Sequence, residues 1–411
     1  MAKTVALDAP TIAWARGVFA RYYQAADVAP PLRLARREFA AFPFLVETSM
    51  RRHETLPTPD EFHAFLRREV PRHVYYSAAY YRRPAELSMA AKEWLGADLL
   101  FDLDADHLRG ADTLGYAGQL GRVKERLVDL VDDFLVRDFG ISPSEMSLVF
   151  SGGRGYHVHV RDERFLPLSS PERRELVDYV QGTGFDARRT IAESHLNVRA
   201  DPELERRGGA SGVLRVQELS PPESPGWKGR TTRAVLALLA RWQSAGRDRA
   251  VQDLVGYGLP LRRARQMAKI LLDEGGADRI RNSLTLEVFP SALASEFLEA
   301  VVPAAAVAVQ GETDAPVTTD IHRLIRLPSS LHGGTGLRVV PLSREALERF
   351  DPFRDAAAPA PADERVPVVF RETVSHPWGD GRIEGSPGST AELPTGAALF
   401  LTLRGEAGLR A

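Results

Sequence analysis

Apolar residues recur every third or fourth position from Thr11 to Ala26 and again from Asp60 to Arg68, the second stretch after an LPTPDE start, so both predict helices. The pattern then switches: HVYYSAAYY is aromatic and β-prone, and GADLLFDLDADHL alternates as a strand. Helical spacing returns from Tyr116 to Phe139, with Leu120, Val123, Leu127, Leu130 and Val131 on one side. SLVFSGGRGYHVHV reads as strand, tight turn, strand. Residues 1–167 are therefore expected to be mixed α/β.

The periodicity changes character near Leu168. SSPERRELVDYVQG has a helix-start signature, and RAVLALLARWQ, LRRARQMAKILLDEG and SALASEFLEAVV follow with helical spacing. A mostly helical insertion over 168–309 is expected. Strand-like HRLIRLPSSLHGGTGLRVVPL marks 310–355 as a return to the first architecture. In 356–411, AAAPAPADE reads as an extended, solvated linker, with short strands expected around VPVVF and AALFLTL. No internal repeat is evident.

The chain has 411 residues, 44% of them hydrophobic and 26% charged, enough for a large core and more than one domain. A net charge of −2 excludes a uniformly basic nucleic-acid coat but not a local basic groove. Arginine far outnumbers lysine, so the positive groups are mostly planar forks suited to phosphate or carboxylate. The absence of cysteine excludes disulfides, thiolate zinc sites, iron–sulfur clusters and a cysteine nucleophile. The N-terminus lacks a signal-peptide pattern and no apolar run approaches the length needed to cross a bilayer, so a soluble, cytoplasmic protein with no membrane partner is expected.

Three segments carry chemistry. In FDLDAD, strand alternation turns Asp102 and Asp104 to one face and Phe101 and Leu103 to the other. Two adjacent carboxylates on a leucine-rich strand repel, and a hard divalent cation relieves the conflict; the same pair also reads as a strand end that meets water. In SGGRGYHVHV, the glycines allow close backbone approach, Arg154 suits a phosphate, and His157 and His159 share a face. That stretch alone is equally a hairpin turn, and no Walker sequence follows. In TTDIHRLIRLPSSLHGGTGL, Asp320, Arg323, Arg326 and His322 interrupt an otherwise apolar strand pattern. Together, three carboxylates to hold two divalent ions and basic groups to collect a triphosphate suggest in-line nucleotidyl transfer.

YYSAAYYRRP, SMAAKEWLGADLLFDLDADH, SGGRGYHVHV and DAPVTTDIHRLIRLPSSLHGGTGL, in this order and spacing, resemble the small, catalytic subunit of archaeal and eukaryotic DNA primases, the archaeal branch most. The resemblance runs from about Arg37 to the C-terminal AALFLTLRGEA and is weakest through the helical insertion. It implies an α+β fold: a two-layer, mixed-sheet core related to RNA-recognition-type folds, with a helical subdomain. It further implies Asp102, Asp104 and Asp320 as ligands of magnesium or manganese. Ser151, Arg154, His157, Arg326 and His332 are implied as nucleotide contacts, with Arg52, or Arg51 beside it, as an N-terminal contact. The implied activity is RNA primer synthesis from NTPs on single-stranded DNA, in a heterodimer with the large primase subunit, in the cytoplasm at the nucleoid.

Two departures from the family pattern stand out. HLRGADTLGYAGQLGRVKERL has no cysteine and only His107 where relatives carry a zinc site, so no zinc is expected. Gly334 occupies a position where many relatives have lysine. The low net charge predicts weak template binding by this chain alone. Two other readings share the motifs: a primase-polymerase that extends primers with dNTPs in repair, and a non-catalytic DNA-binding subunit.

Overall fold

The computed structural model describes residues 7–44, 49–107, 113–198, 212–361 and 363–410. The chain forms two compact units, one of residues 1–132, 140–177 and 312–411, the other of residues 133–139 and 178–311.

After the helix Ala9–Ala25, the strands of the first unit start with β1 (Phe39–Phe42), β2 (Arg51–Glu54), β3 (His73–Ser77) and the short pair β4 (Ala79–Tyr81) and β5 (Trp94–Ala97). It continues with β6 (Leu99–Asp104), β7 (Met146–Phe150) and β8 (Gly155–Val160). After β9 (Ile191–Val198) and β10 (Gly212–Leu219), which belong to the second unit, come β11 (Leu324–Arg326) and β12 (Val340–Leu342). One four-stranded sheet has the order β11-β3-β1-β2 and another β12-β7-β8-β6. Every pairing in both is antiparallel, so the fold is α+β, and the expected mixed sheets are antiparallel instead. Antiparallel neighbours such as β7 and β8, joined by a tight turn, need no helical crossover of the kind parallel neighbours require.

The two sheets meet where Tyr76 of β3 reaches His159 of β8, hydroxyl to Nδ1 at 3.1 Å. Around this contact Phe19, Phe39, Phe62, Leu100, Leu327 and Leu399 form one core. Helix Pro59–Glu69 contributes Phe62, Phe65 and Leu66 to it, and its start is fixed by a capping box between Thr58 and Glu61. Each such buried side chain stabilises the unit by roughly 1.5–3 kcal/mol.

A buried ion pair, Arg37 to Asp98 at 2.7 Å, ties the β3–β4 junction to the β5–β6 junction. Arg37 also donates to the Ser77 and Ala78 carbonyls, and Asp98 accepts from the Tyr80 hydroxyl at 2.5 Å. Arg173 donates to the carbonyls of Ala97 and Asp98 from below. The two charges are thus fully hydrogen-bonded, which is what makes their burial tolerable.

AALFLTL is helical, within Thr395–Arg404, and not the expected strand. Its apolar residues are buried on nearly all sides, and a short continuous apolar run carries no period that separates helix from strand. VPVVF does form a strand, within β13 (Arg365–Phe370). The AAAPAPADE stretch is not simply solvated either, because Ala356 and Ala358 are buried and the Ala356 carbonyl accepts from the Arg338 amide.

The second unit packs helices around Trp242, Leu239, Met267, Leu271, Ile280 and Phe297, and adds the β9–β10 hairpin that the helical pattern did not announce. Its stretch Ser291–Ala308 is long and apolar enough to cross a membrane, contrary to the expectation that no such run exists. Leu293, Phe297, Val301, Val302 and Ala305 of that stretch lie in the unit's own core, which accounts for their apolarity.

Candidate active site

Pairing of β6 with β8 sets Asp102 opposite His157 and Asp104 opposite Gly155. A Cβ on Gly155 would stand 2.3 Å from the Leu103 carbonyl oxygen and 3.0 Å from the Asp104 Cα. Glycine is needed there so that the turn can close onto the acidic strand. As the alternation requires, Phe101 and Leu103 are buried while Asp102 and Asp104 are partly open.

Asp102 is pushed up to about 7, by burial first and then by the carboxylates of Asp104 and Asp314; Arg323 and Arg326 oppose the rise. His157 Nε2 lies 3.5 Å from Asp102 Oδ1. Burial, followed by Arg326 and Arg323, holds His157 down to about 3. The imidazole is therefore neutral at physiological pH, and the close approach is not an ion pair. Its Nδ1 is buried with no hydrogen-bond partner. His159 is fully buried against Tyr76 and supports the sheet contact.

The SGGRG turn is held from three sides. The Ser151 hydroxyl accepts from the Gly153 and Gly155 amides at 3.2 and 3.3 Å. Tyr116 donates its hydroxyl to the Gly153 carbonyl at 2.6 Å, and Thr335 donates to the Gly152 carbonyl at 2.5 Å. His332 packs directly beneath: a Cβ on Gly152 would lie 2.7 Å from the His332 Cβ, and one on Gly153 3.2 Å from its Nε2. The Gly334 amide and the Thr335 hydroxyl both meet His332 Nδ1, at 3.2 and 3.1 Å, which leaves Nε2 facing the turn. Arg154 is paired with Asp106 and stands 4.0 Å from Asp104.

The third segment reaches the same strand. The Asp314 amide donates to the Asp102 carbonyl at 2.8 Å, and the short helix Ala315–Thr319 leads to Asp320. Asp320 is exposed, its carboxylate accepting from the His322 amide at 2.9 Å. Arg326 on β11 bonds to His73 Nδ1 and lies over the Tyr75 ring. The two N-terminal arginines differ: Arg51 is held by Glu69 and Glu54, whereas Arg52 is anchored to buried Glu38 at 3.2 Å. Tyr81 lies within the electrostatic reach of Glu38, Arg52 and Asp320, and its ring stacks on His322.

The fold thus gathers Asp102, Asp104, Ser151, Arg154, His157, Arg326 and His332 around one turn. Asp314, His73, Tyr116 and Thr335 join them without having been singled out by pattern; only the isolated Asp in DAPVTTD offered a signal. Among the described residues no three His, Asp or Glu side chains converge tightly enough to hold a metal ion by themselves. The donor chemistry of Asp102 and Asp104 nevertheless suits a hard cation, since two carboxylates share one face and the inner one is under like-charge pressure. Residues 108–112, within HLRGADTLGYAGQLGRVKERL, lie outside the described residues.

Residues 101–344 match the family model described as DNA primase small subunit. The chain is 38% identical over 404 residues to the DNA primase small subunit PriS of Methanocella arvoryzae, covering 97% of this chain and 98% of that one. It is equally similar, 38% over 407 residues, to that of Methanothrix thermoacetophila, covering 97% and 99%. The corresponding protein of Halobacterium salinarum is 38% identical over 410 residues, covering 98% and 99%.

Proposed function

This chain belongs to the DNA primase small subunit family, and from that premise we propose that it is the catalytic subunit, making short RNA primers from NTPs on single-stranded DNA. In the reaction the 3′-hydroxyl of one nucleotide gives its proton to solvent as its oxygen bonds to the α-phosphorus of the next, the bond from that phosphorus to the oxygen bridging it to the β-phosphate breaks, and pyrophosphate leaves.

Asp102 and Asp104, with Asp320 completing the set, would hold magnesium or manganese, which supplies activation of the attacking hydroxyl and neutralisation of the leaving pyrophosphate. The chain's own groups position the triphosphate. His157 stands beside Asp102 with its Nε2, and His332 lies against the turn with its Nε2 toward Gly153. Arg154 exchanges Asp106 for a phosphate, a swap between two charge-assisted bonds of similar strength. Arg326 and Arg52 supply further positive charge. Fixed donors of this kind lower the barrier because they need no reorganisation as charge develops.

The observation that carries this reading is the register: Asp102 faces His157 and Asp104 faces Gly155, so carboxylates and phosphate turn share one face. The test is labelled-NTP incorporation on unprimed single-stranded DNA with manganese or magnesium, beside dNTP incorporation on primed and gapped DNA. Oligoribonucleotides from the unprimed template support primer synthesis; dNTP extension alone replaces it with the primase-polymerase reading, and no product with either leaves a DNA-binding subunit. With a net charge of −2, the chain is expected to bind template weakly and to gain affinity from the large primase subunit.

A further inference from the structure

Arg72 has an unusual setting. Its amide is used, donating to the Phe42 carbonyl at 2.8 Å, and its Nε donates to the Gly333 carbonyl at 2.9 Å. Arg51, Arg52 and Arg154 nearby are each paired with a carboxylate; among the described residues Arg72 has none within ion-pair distance, and neither has Arg326. Its two Nη groups are left to accept a partner from outside the chain.

The chain is shaped to hold Arg72 there. Val70 adopts a left-handed conformation with φ 47°, a strained state for a β-branched residue, and the next step, through Pro71, delivers Arg72. On the other side, a Cβ on Gly333 would lie 2.4 Å from the Arg72 Cγ and 2.7 Å from His73 Nε2. Only glycine at 333 lets the HGGTG loop lie on Arg72, and that loop continues through His332 to the SGGRG turn. The neighbours are of one sign or neutral. Arg326 bonds to His73, and the His73 and His332 rings meet edge to face at 5.2 Å. Both imidazoles are held well below their usual range, by burial first and then by Arg326, with Arg72 contributing to each. A partly buried guanidinium beside a second one, with neutral rings between and no carboxylate, is a setting that an anion completes.

We propose that Arg72 is a further phosphate-binding residue, holding through its Nη groups the terminal phosphates of the nucleoside triphosphate bound at this site. The proposal rests on the reading of the site as a nucleotide site.

A template phosphate has the same chemistry as a nucleotide phosphate, so the test separates them. Binding of NTP, NMP and a single-stranded oligonucleotide is measured by calorimetry on the wild type, Arg72→Ala and Arg72→Gln, with melting curves to verify the fold. Arg72→Gln keeps a donor for the Gly333 carbonyl and covers the case in which Arg72→Ala does not fold. The expected result is NTP affinity about 10-fold to 100-fold weaker in the variants, with NMP and oligonucleotide unchanged within two-fold. NTP affinity within two-fold of wild type overturns the assignment while leaving the nucleotide site standing; so does an oligonucleotide loss without an NTP loss. An equal loss of NMP and NTP overturns it as well, because terminal phosphates would then not be what Arg72 reads. If the wild type binds no NTP at all, the reading of the site falls and the assignment with it.

Discussion

The Tyr116 hydroxyl donates to the Gly153 carbonyl at 2.6 Å, linking the glycine turn to the C-terminal part of the first unit. The Tyr116 ring packs edge-on against Phe353, His376 and Phe400, with the Arg404 guanidinium 4.4 Å from its centroid. His376 and Arg404 are both held by Glu406. The turn is thus braced by residues from the far C-terminal part of the chain, Phe353 to Glu406.

Tyr116→Phe removes only this hydroxyl. The lost hydrogen bond and the unsatisfied carbonyl are worth about 1–3 kcal/mol. Nucleotide affinity is expected to fall several-fold with a small loss of stability, checked by NTP titration and thermal melting. Unchanged affinity would mean that the turn does not depend on this brace.

Gly155→Ala puts a methyl group where the Leu103 carbonyl and Asp104 backbone stand. Strand β8 must shift away from β6, at roughly 1–3 kcal/mol. Primer synthesis is expected to drop at least ten-fold while far-UV circular dichroism stays native. Full activity would show that the close approach is dispensable.

Acid should destabilise the protein through its buried histidines. His157 is held to about 3, and His73, His159 and His332 are also held well below their usual value, each by burial first. Below about 6.5 the unfolded chain takes up protons that the folded chain refuses, so stability is lost as pH falls from 6.5, by about 1.4 kcal/mol per pH unit for each histidine. Asp102, raised to about 7, works in the opposite direction between 7 and about 4 and offsets roughly one histidine. Urea midpoints are expected to fall between pH 7 and pH 5; a flat or rising midpoint contradicts the protonation states given to these rings.

Asp98→Ala leaves Arg37 buried and unpaired at the junction of the two sheets. A loss of about 3–5 kcal/mol is expected, measured by denaturant unfolding. A loss below 1 kcal/mol would mean that the Ser77 and Ala78 carbonyls suffice for that guanidinium.

Much of this was legible in the chain. FDLDAD announced its two faces because strand alternation is geometric, and SGGRGYHVHV announced its hairpin because glycines punctuate it. Long-range partners were not legible. Nothing local in DAPVTTD says that the Asp314 carboxylate will press on Asp102, or that Arg154 will pair with Asp106. Nothing in the sequence marked Arg72, and its setting exists only once the HGGTG loop packs on it. AALFLTL misled because a fully buried segment loses the polar positions that reveal its period.

The central claim is that the carboxylates facing the glycine turn are the catalytic centre of a nucleotidyl transferase. It is tested most directly by primer synthesis on unprimed single-stranded DNA with labelled NTPs and manganese, comparing wild type with a folded Asp104→Ala variant. The account predicts oligoribonucleotides from the wild type and a loss of at least a hundred-fold in the variant. Equal product from both, or none from the wild type, would contradict it.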